Sequence, residues 1–424
     1  MRNYLADTSP LTESLEFRRL WFGQLLSILG SQLTVTAVSL QVYDLTRSSF
    51  NVGLLGLVAL VPFVFAGLYG GAIVDANDRR TVAIASSWLL WGTSALIALQ
   101  AWLRLENVLL IYLLVGIQAL GTGLNMPARS AIIPRLIRPE KLAAANALNM
   151  ITFGLGGAAG PLLAGALVAS VDYGWTYTFD VLSFTVAMWA LFRLPPLPPE
   201  GAVRRAGIRS VAEGFQFLGT RPNIRMTFLI DMCAMVFAMP RAVLPAVAVL
   251  ALGGGAATAG ALLAGIAAGT FLGGLFSGPV ARLRWQGRGV QWSVVAWGAS
   301  ILALGTVVLS AGRTSPGGPT WWVLPAILCM VAAGAADSVS AALRSTILQA
   351  ATPDALRGRL QGGVFTVVVG GGPRLGDVFS GGMASWLGEG TSIVVGALAC
   401  IALVWVLHVA QPGFARYDAE HPTP

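Results

Sequence analysis

Charge is what this chain has little of. Of its 424 residues only 11% are charged, against about 25% in a soluble globular protein, which excludes a globule solvated by water alone. Cysteine is nearly absent: Cys233, Cys329 and Cys400 each sit inside an apolar stretch and offer no disulfide framework. Of the two histidines, His408 lies near the end of the last apolar stretch and His421 in the tail, positions that suit neither catalysis nor a metal site. No metal-ligand cluster and no phosphate-cradling glycine loop is visible, so no cofactor and no enzymatic activity are expected. Lysine occurs once, at Lys141, and the other 26 of the 27 basic residues are arginine. With abundant Ala and Gly, that composition points to a GC-rich bacterial genome.

What the chain has instead is apolar length. Hydrophobic residues make up 55% and the mean hydropathy is +0.72. A helix crosses the hydrocarbon with roughly 20 apolar residues. Twelve stretches suffice, near 20–43, 51–74, 81–103, 107–128, 143–170, 176–194, 224–249, 256–280, 291–311, 321–343, 361–387 and 391–410. The fifth and eleventh are long and rich in glycine, so tilting or kinking is expected there. The polar first 19 residues show no cleavage pattern, and the first stretch is expected to be retained.

The net charge of +8 would suit a nucleic-acid binder, but its placement argues against one. Twenty basic residues, among them Arg18, Arg19, Arg79, Arg80, Arg135, Arg138, Lys141, Arg204, Arg205, Arg284 and Arg288, fall in segments on one side of the expected membrane. Arg47, Arg104 and Arg313 occupy the opposite loops. The bias predicts a bacterial inner-membrane protein with both termini in the cytoplasm.

One segment occurs twice. Arg129-Ser-Ala-Ile-Ile followed by Pro139-Glu-Lys-Leu returns as Arg344-Ser-Thr-Ile-Leu followed by Pro353-Asp-Ala-Leu. A Gly-Pro pair follows each copy, at Gly160-Pro161 and Gly372-Pro373, and the offsets of 215, 214 and 212 residues make one half a parallel echo of the other. Such repeats are the architecture of a secondary transporter. The expected fold is an all-α integral membrane protein, with twelve transmembrane helices in two pseudo-symmetric six-helix halves around a central cavity. The halves fall at 1–195 and 223–410, joined by a cytoplasmic linker, 196–222, and followed by a cytoplasmic tail, 411–424. A short surface helix is expected over 208–219, and the tail is expected to be disordered.

Between the second and third stretches stands Gly71-Ala-Ile-Val-Asp75-Ala-Asn-Asp78-Arg79-Arg80. It resembles the hallmark loop of the major facilitator superfamily, Gly-x-Leu-x-Asp-x-x-Gly-Arg-Arg/Lys, with Ile73 and Asp78 as departures. The resemblance implies a conformational latch of Gly71, Asp75, Arg79 and Arg80, in which Asp75 faces the positive end of the eleventh helix's dipole, worth about 0.3–1 kcal/mol. The corresponding second-half loop, Gly278 to Arg288, keeps glycine and positive charge but lacks the Asp. The fifth stretch carries Gly156-x3-Gly160-Pro161-Leu-Leu-Ala164-Gly165. This is similar to the antiporter motif of the superfamily's drug exporters, though small residues also serve plain helix packing. Phe17-Arg18-Arg19-Leu20-Trp21, Asp180-Val-Leu-Ser183-Phe184 and Met239-Pro240-Arg241 narrow the resemblance to the drug-antiporter branch, which includes enterobactin exporters and macrolide efflux proteins.

Eight ionisable residues lie at membrane depth, where each costs several kcal/mol unless paired or wetted. Asp180, Asp231, Asp337 and Asp377 stand against Arg129, Arg241, Arg344 and Arg374. Four against four suggests pairing; Asp377, three residues after Arg374, is placed for a local pair, and structural pairing is the favoured reading of Asp180. The resemblance places the first, fourth, seventh and tenth helices around the cavity, where Asp231 and Asp337 would carry protons. The first stretch has no acid, and Ile117 precedes Gln118-Ala-Leu-Gly121-Thr-Gly123 where the family pattern has Arg. A proton site is therefore expected in the second half. Ser31, Gln32, Thr34, Thr36, Gln118 and Asn125 are candidate polar substrate contacts, and Phe63, Phe65 and Met235 candidate apolar ones.

These readings converge on a monomeric carrier, embedded in lipid, that exports a small organic molecule by alternating access in exchange for protons. A catecholate siderophore of the enterobactin type is the first substrate class and a lipophilic antibiotic, macrolide or tetracycline, the second. A non-transporting membrane scaffold is the third reading, against which the hallmark loop and the buried charges argue.

Overall fold

A computed structural model describes residues 7–198, 215–275, 280, 283–313, 320–352 and 365–419. Those residues are almost all helical. After a short α1, Ser9–Glu13, come α2, Leu15–Thr46, α3, Ser49–Ala76, α4, Arg79–Trp102, α5, Val108–Leu136, and α6, Leu142–Phe192. The second part holds α7, Pro222–Met232, α8, Gly255–Leu275, α9, Gln286–Ala311, α10, Val323–Ala351, α11, Phe365–Leu387, and α12, Glu389–Ala410. Ten helical segments among the described residues are long and apolar enough to cross a membrane. Their outward side chains, such as Val61, Leu109, Trp292 and Trp405, are exposed. Exposed apolar surface on that scale is what lipid covers.

The expected break between the fifth and sixth stretches is a single residue. α6 runs through without a loop, but Asp172 turns to φ 72° and ψ 170°, a strained region that residues other than glycine rarely adopt. Its carboxylate accepts from the Tyr173 N–H at 2.7 Å and its carbonyl from the Thr176 hydroxyl at 2.8 Å. Past α7 the chain is irregular for another reason. Two π-helical turns, Cys233–Phe237 and Val247–Ala251, flank a 3-10 turn at Arg241–Val243. Pro240 cannot donate a backbone bond, and in this irregular stretch the Ala238 carbonyl accepts from the Trp297 indole N–H at 3.1 Å.

The chain folds as two compact units, 1–38 with 61–207, and 39–60 with 208–424. In the first unit Leu20, Val74, Ala83, Ala128, Ile132 and Leu191 form one apolar cluster. In the second a larger core gathers Ile230, Leu244, Leu262, Trp297, Met330, Ala397 and Phe414. There α8 and α10 touch backbone to backbone: Gly269 lies against the Val331 carbonyl and Gly334 against that of Ile266, places a Cβ would fill. The end of α2 and the start of α3, residues 39–60, belong to this unit. Gly53 and Gly56 lie against the Asp377 and Arg374 carbonyls of α11, and Gly381 against that of Ser49.

The tail is ordered as far as it is described, contrary to the expectation of disorder. Pro412–Arg416 forms a 3-10 turn, Phe414 and Tyr417 are buried, and Arg284 donates to Asp418 at 2.9 and 3.1 Å. Burial raises the Tyr417 phenol above its ordinary pKa. Of the expected linker helix, residues 215–220 are helical and 208–214 lie outside the described residues, as does His421.

Candidate functional site

Three of the four acids at membrane depth are held by arginine. In the second unit α7 carries Asp231 and α10 carries Asp337 and, seven residues on, Arg344. The guanidinium is in direct contact with Asp231, and its other terminal nitrogen is 3.6 Å from Asp337. The Asp231 side chain is 3% exposed and that of Asp337 26%. One cation thus meets two carboxylates, and the outer one is both farther away and more open to solvent. Arg344 also donates to the Ser340 carbonyl at 3.3 Å, which fixes the fork along its own helix.

The second cluster depends on the break after Pro240. The 3-10 turn carries Arg241 to Asp377 on α11, where it donates through Nε at 3.2 Å and through a terminal nitrogen in direct contact. The expected local pair of Arg374 and Asp377 is therefore not the main contact of Asp377: its cation comes from 136 residues earlier. Arg374 donates to the Gly370 carbonyl of its own helix.

Asp180 is the exception among the acids. It is fully buried, and no arginine bonds it among the described residues. The hydroxyls of Thr34 on α2 and Ser94 on α4 each donate to it at 2.7 Å, and Ser183 stands 3.4 Å away. Gln118 backs this cage by donating to the Ser94 hydroxyl at 3.3 Å. The expectation of a charge pair at Asp180 is corrected by this hydroxyl cage. Arg129 is the exception among the bases. It is 6% exposed and its one bond runs to the Ser27 hydroxyl at 3.5 Å.

Two other predicted polar contacts, Asn125 and Thr36, are spent on bonds within the fold. Asn125 spends its amide protons on the Ala83 carbonyl, 3.3 Å away, and on Ser86 and Ser87, both at 2.9 Å, tying α5 to α4. The Thr36 hydroxyl returns to the Gln32 carbonyl at 2.9 Å. In the antiporter-like segment Gly156 lies against Ile28 and Gly160 against Gln32, so these glycines let α6 approach α2; Pro161 and Gly165 are buried beside them. In the hallmark loop Asp75 is half-buried and Gly71 meets open space, while its neighbour Gly70 lies against the Gly123 carbonyl. Asp78 caps α4 by accepting from Thr81 N–H at 2.9 Å and also accepts from Leu197 N–H at 2.7 Å. Arg79 N–H donates to the Leu197 carbonyl at 3.1 Å. Arg80 donates to the carbonyls of Leu191 at 3.3 Å and Phe192 at 2.9 Å. The loop thus clasps the end of its own unit's last helix. In the second unit Arg284 and Asp418 make the matching clasp between loop and tail.

Arg344 is the residue that sequence reading undervalued. Its signal was a spacing: Asp337 stands seven residues, two helical turns, before Arg344, on the same face of α10. No group of three or more His, Cys, Asp and Glu among the described residues is arranged to hold a metal.

Comparison with known proteins agrees with this architecture. The enterobactin exporter of Citrobacter koseri is 28% identical over 428 residues, covering 100% of this chain and 98% of its own. That of Escherichia coli (strain K12) is 28% identical over 426 residues, covering 97% of each. Among solved structures, the nucleoside transporter NupG superposes with a TM-score of 0.73 at 15% identity, covering 93% of this chain and 98% of its own. A bacterial homologue of the iron transporter ferroportin, in its inward-facing state, gives 0.68 at 15% identity, covering 94% and 98%. Matched from residue 6 to residue 421, the chain belongs to the transmembrane secretion effector family of the major facilitator superfamily, multi-pass small-molecule transporters of the bacterial inner membrane.

Proposed function

We propose that the chain is a proton-coupled exporter of a catecholate siderophore of the enterobactin type, acting as a monomer by alternating access, with both termini in the cytoplasm. Full-length similarity to enterobactin exporters supports the substrate class. Counting α6 as two spans divided at Asp172, and adding α11, gives twelve spans in two pseudo-symmetric halves. The observation that carries the coupling is the pair of carboxylates sharing Arg344. One guanidinium balances one carboxylate, and the surplus charge falls on Asp337, the farther and more open of the two. A proton on Asp337 leaves the Arg344–Asp231 pair intact; its loss leaves the cluster with net charge −1. Such a group can load on one side of the membrane and discharge on the other. Asp75, Arg79 and Arg80 in the hallmark loop, with Gly71, are proposed as the latch that biases the carrier between states.

The test is a gene deletion in the native host, with mass spectrometry of spent medium under iron starvation. Loss of a catecholate outside the cell and its accumulation inside, restored by the wild-type gene, is the expected result. Restoration by Asp337→Asn would remove that residue from the coupling. An unchanged catecholate profile, with altered susceptibility to macrolides or tetracyclines, would replace siderophore export by drug efflux.

A further inference from the structure

The two repeat-related arginines live in opposite surroundings. Arg344 has two carboxylates around it. At the matching register, seven residues before it, Arg129 has Thr122 in place of Asp337. The cation is retained and that anion is gone. Arg129 is nevertheless 94% buried by its exposure of 6%, and its Nε and one terminal nitrogen have no hydrogen-bond partner. Its remaining terminal nitrogen reaches Ser27, whose own proton is committed to the Gln24 carbonyl at 3.1 Å. No carboxylate among the described residues is paired with it.

A guanidinium withdrawn from water with two of its nitrogens unspent is unstable unless an anion completes it. Its planar fork matches the two oxygens of a carboxylate or a catecholate. No carboxylate among the described residues stands beside this fork to repel such an anion, as Asp231 and Asp337 would beside Arg344. We propose that Arg129, with Ser27 beside it, is an oxyanion-binding site that takes an acidic oxygen of the exported molecule. The site deepens the export reading and rests on it: the second unit would hold the proton and the first the substrate's negative charge.

The experiment uses the full-length protein in nanodiscs of neutral phosphatidylcholine. Binding of 2,3-dihydroxybenzoylserine, a catechol with a free carboxylate, is compared with that of its methyl ester by calorimetry. Wild type is expected to prefer the acid by about tenfold or more, the scale of one charge-assisted hydrogen bond. Arg129→Lys, which keeps the charge but not the planar fork, should keep only part of that preference, and Arg129→Gln should abolish it. Removing an unpaired cation should not unfold the protein, and ligand-free Arg129→Gln should melt no lower than wild type. An unchanged acid-to-ester ratio in Arg129→Gln would overturn the site. Nanodiscs containing phosphatidylglycerol distinguish a lipid headgroup as the source of the anion: if they abolish acid binding by wild type, the substrate assignment fails. Thermal stabilisation by benzoate separates this proposal from the siderophore reading. If neither catechol binds but benzoate stabilises wild type and not Arg129→Gln, the site stands and the siderophore falls. If benzoate stabilises both equally or neither, and no catechol binds, the site itself is refuted.

Discussion

In the first unit Asp180 is held wholly by hydroxyls, with Thr34 and Ser94 donating at 2.7 Å. In the second, Asp231 and Asp377 lie against Arg344 and Arg241. Both arrangements satisfy a carboxylate away from water, but they differ in what they tolerate. A hydroxyl donates or accepts as needed, so Asp180 keeps its partners whether or not it carries a proton. A guanidinium only donates and is always charged. Its partner is therefore fixed as an anion, and removing either member leaves a charge stranded in a medium that cannot solvate it.

The largest effect expected from that contrast is at Arg344. Arg344→Ala strands Asp231 and should cost about 3–5 kcal/mol, read as a fall in unfolding midpoint of the reconstituted protein. Adding Asp231→Asn should recover most of the loss; no recovery would mean that Arg344 acts by packing and not by charge. Next comes Arg241→Gln, which strands Asp377. Because the Arg241 side chain is 37% exposed, water offsets part of the damage, and about 1–3 kcal/mol is expected. Asp180→Asn should cost less, about 1 kcal/mol, because an amide still accepts from Thr34 and Ser94. A loss as large as that of Arg344→Ala would erase the distinction between the two arrangements. The smallest effect belongs to the same acid–arginine chemistry placed outside the membrane: Asp418→Asn should change stability by less than about 1 kcal/mol, and the difference should shrink further in high salt.

Much of this was readable from the chain, and the gaps have physical causes. Apolar length located the spans because lipid demands it at nearly every position. The break before α6's second leg showed as the gap between the stretches 143–170 and 176–194, though nothing there indicated that one positive φ would replace a loop. The charged residues at depth announced themselves by cost, but their partners did not. Arg374 is the near neighbour of Asp377 along the helix, whereas Arg241 reaches it only because the chain after Pro240 leaves regular geometry, which local sequence does not encode. The cage around Asp180 was invisible for a different reason: Thr34 and Ser94 are ordinary small polar residues in apolar runs, and such residues more often bond their own helix. The tail carried its signal openly, since Phe414 and Tyr417 are spaced three apart in a polar segment, and its polarity masked it.

The hairpin at 39–60 has a consequence for anyone who cuts this chain. α11 presents bare backbone at Arg374 and Asp377 to Gly53 and Gly56, and Ser49 reaches Glu389 at 3.1 Å. A fragment beginning after the linker carries α11 and Glu389 but not the glycines that cover them. Such a fragment would lose the close packing on α11 and leave Glu389 without Ser49, and it should insert stably only when the first fragment is made in the same membrane.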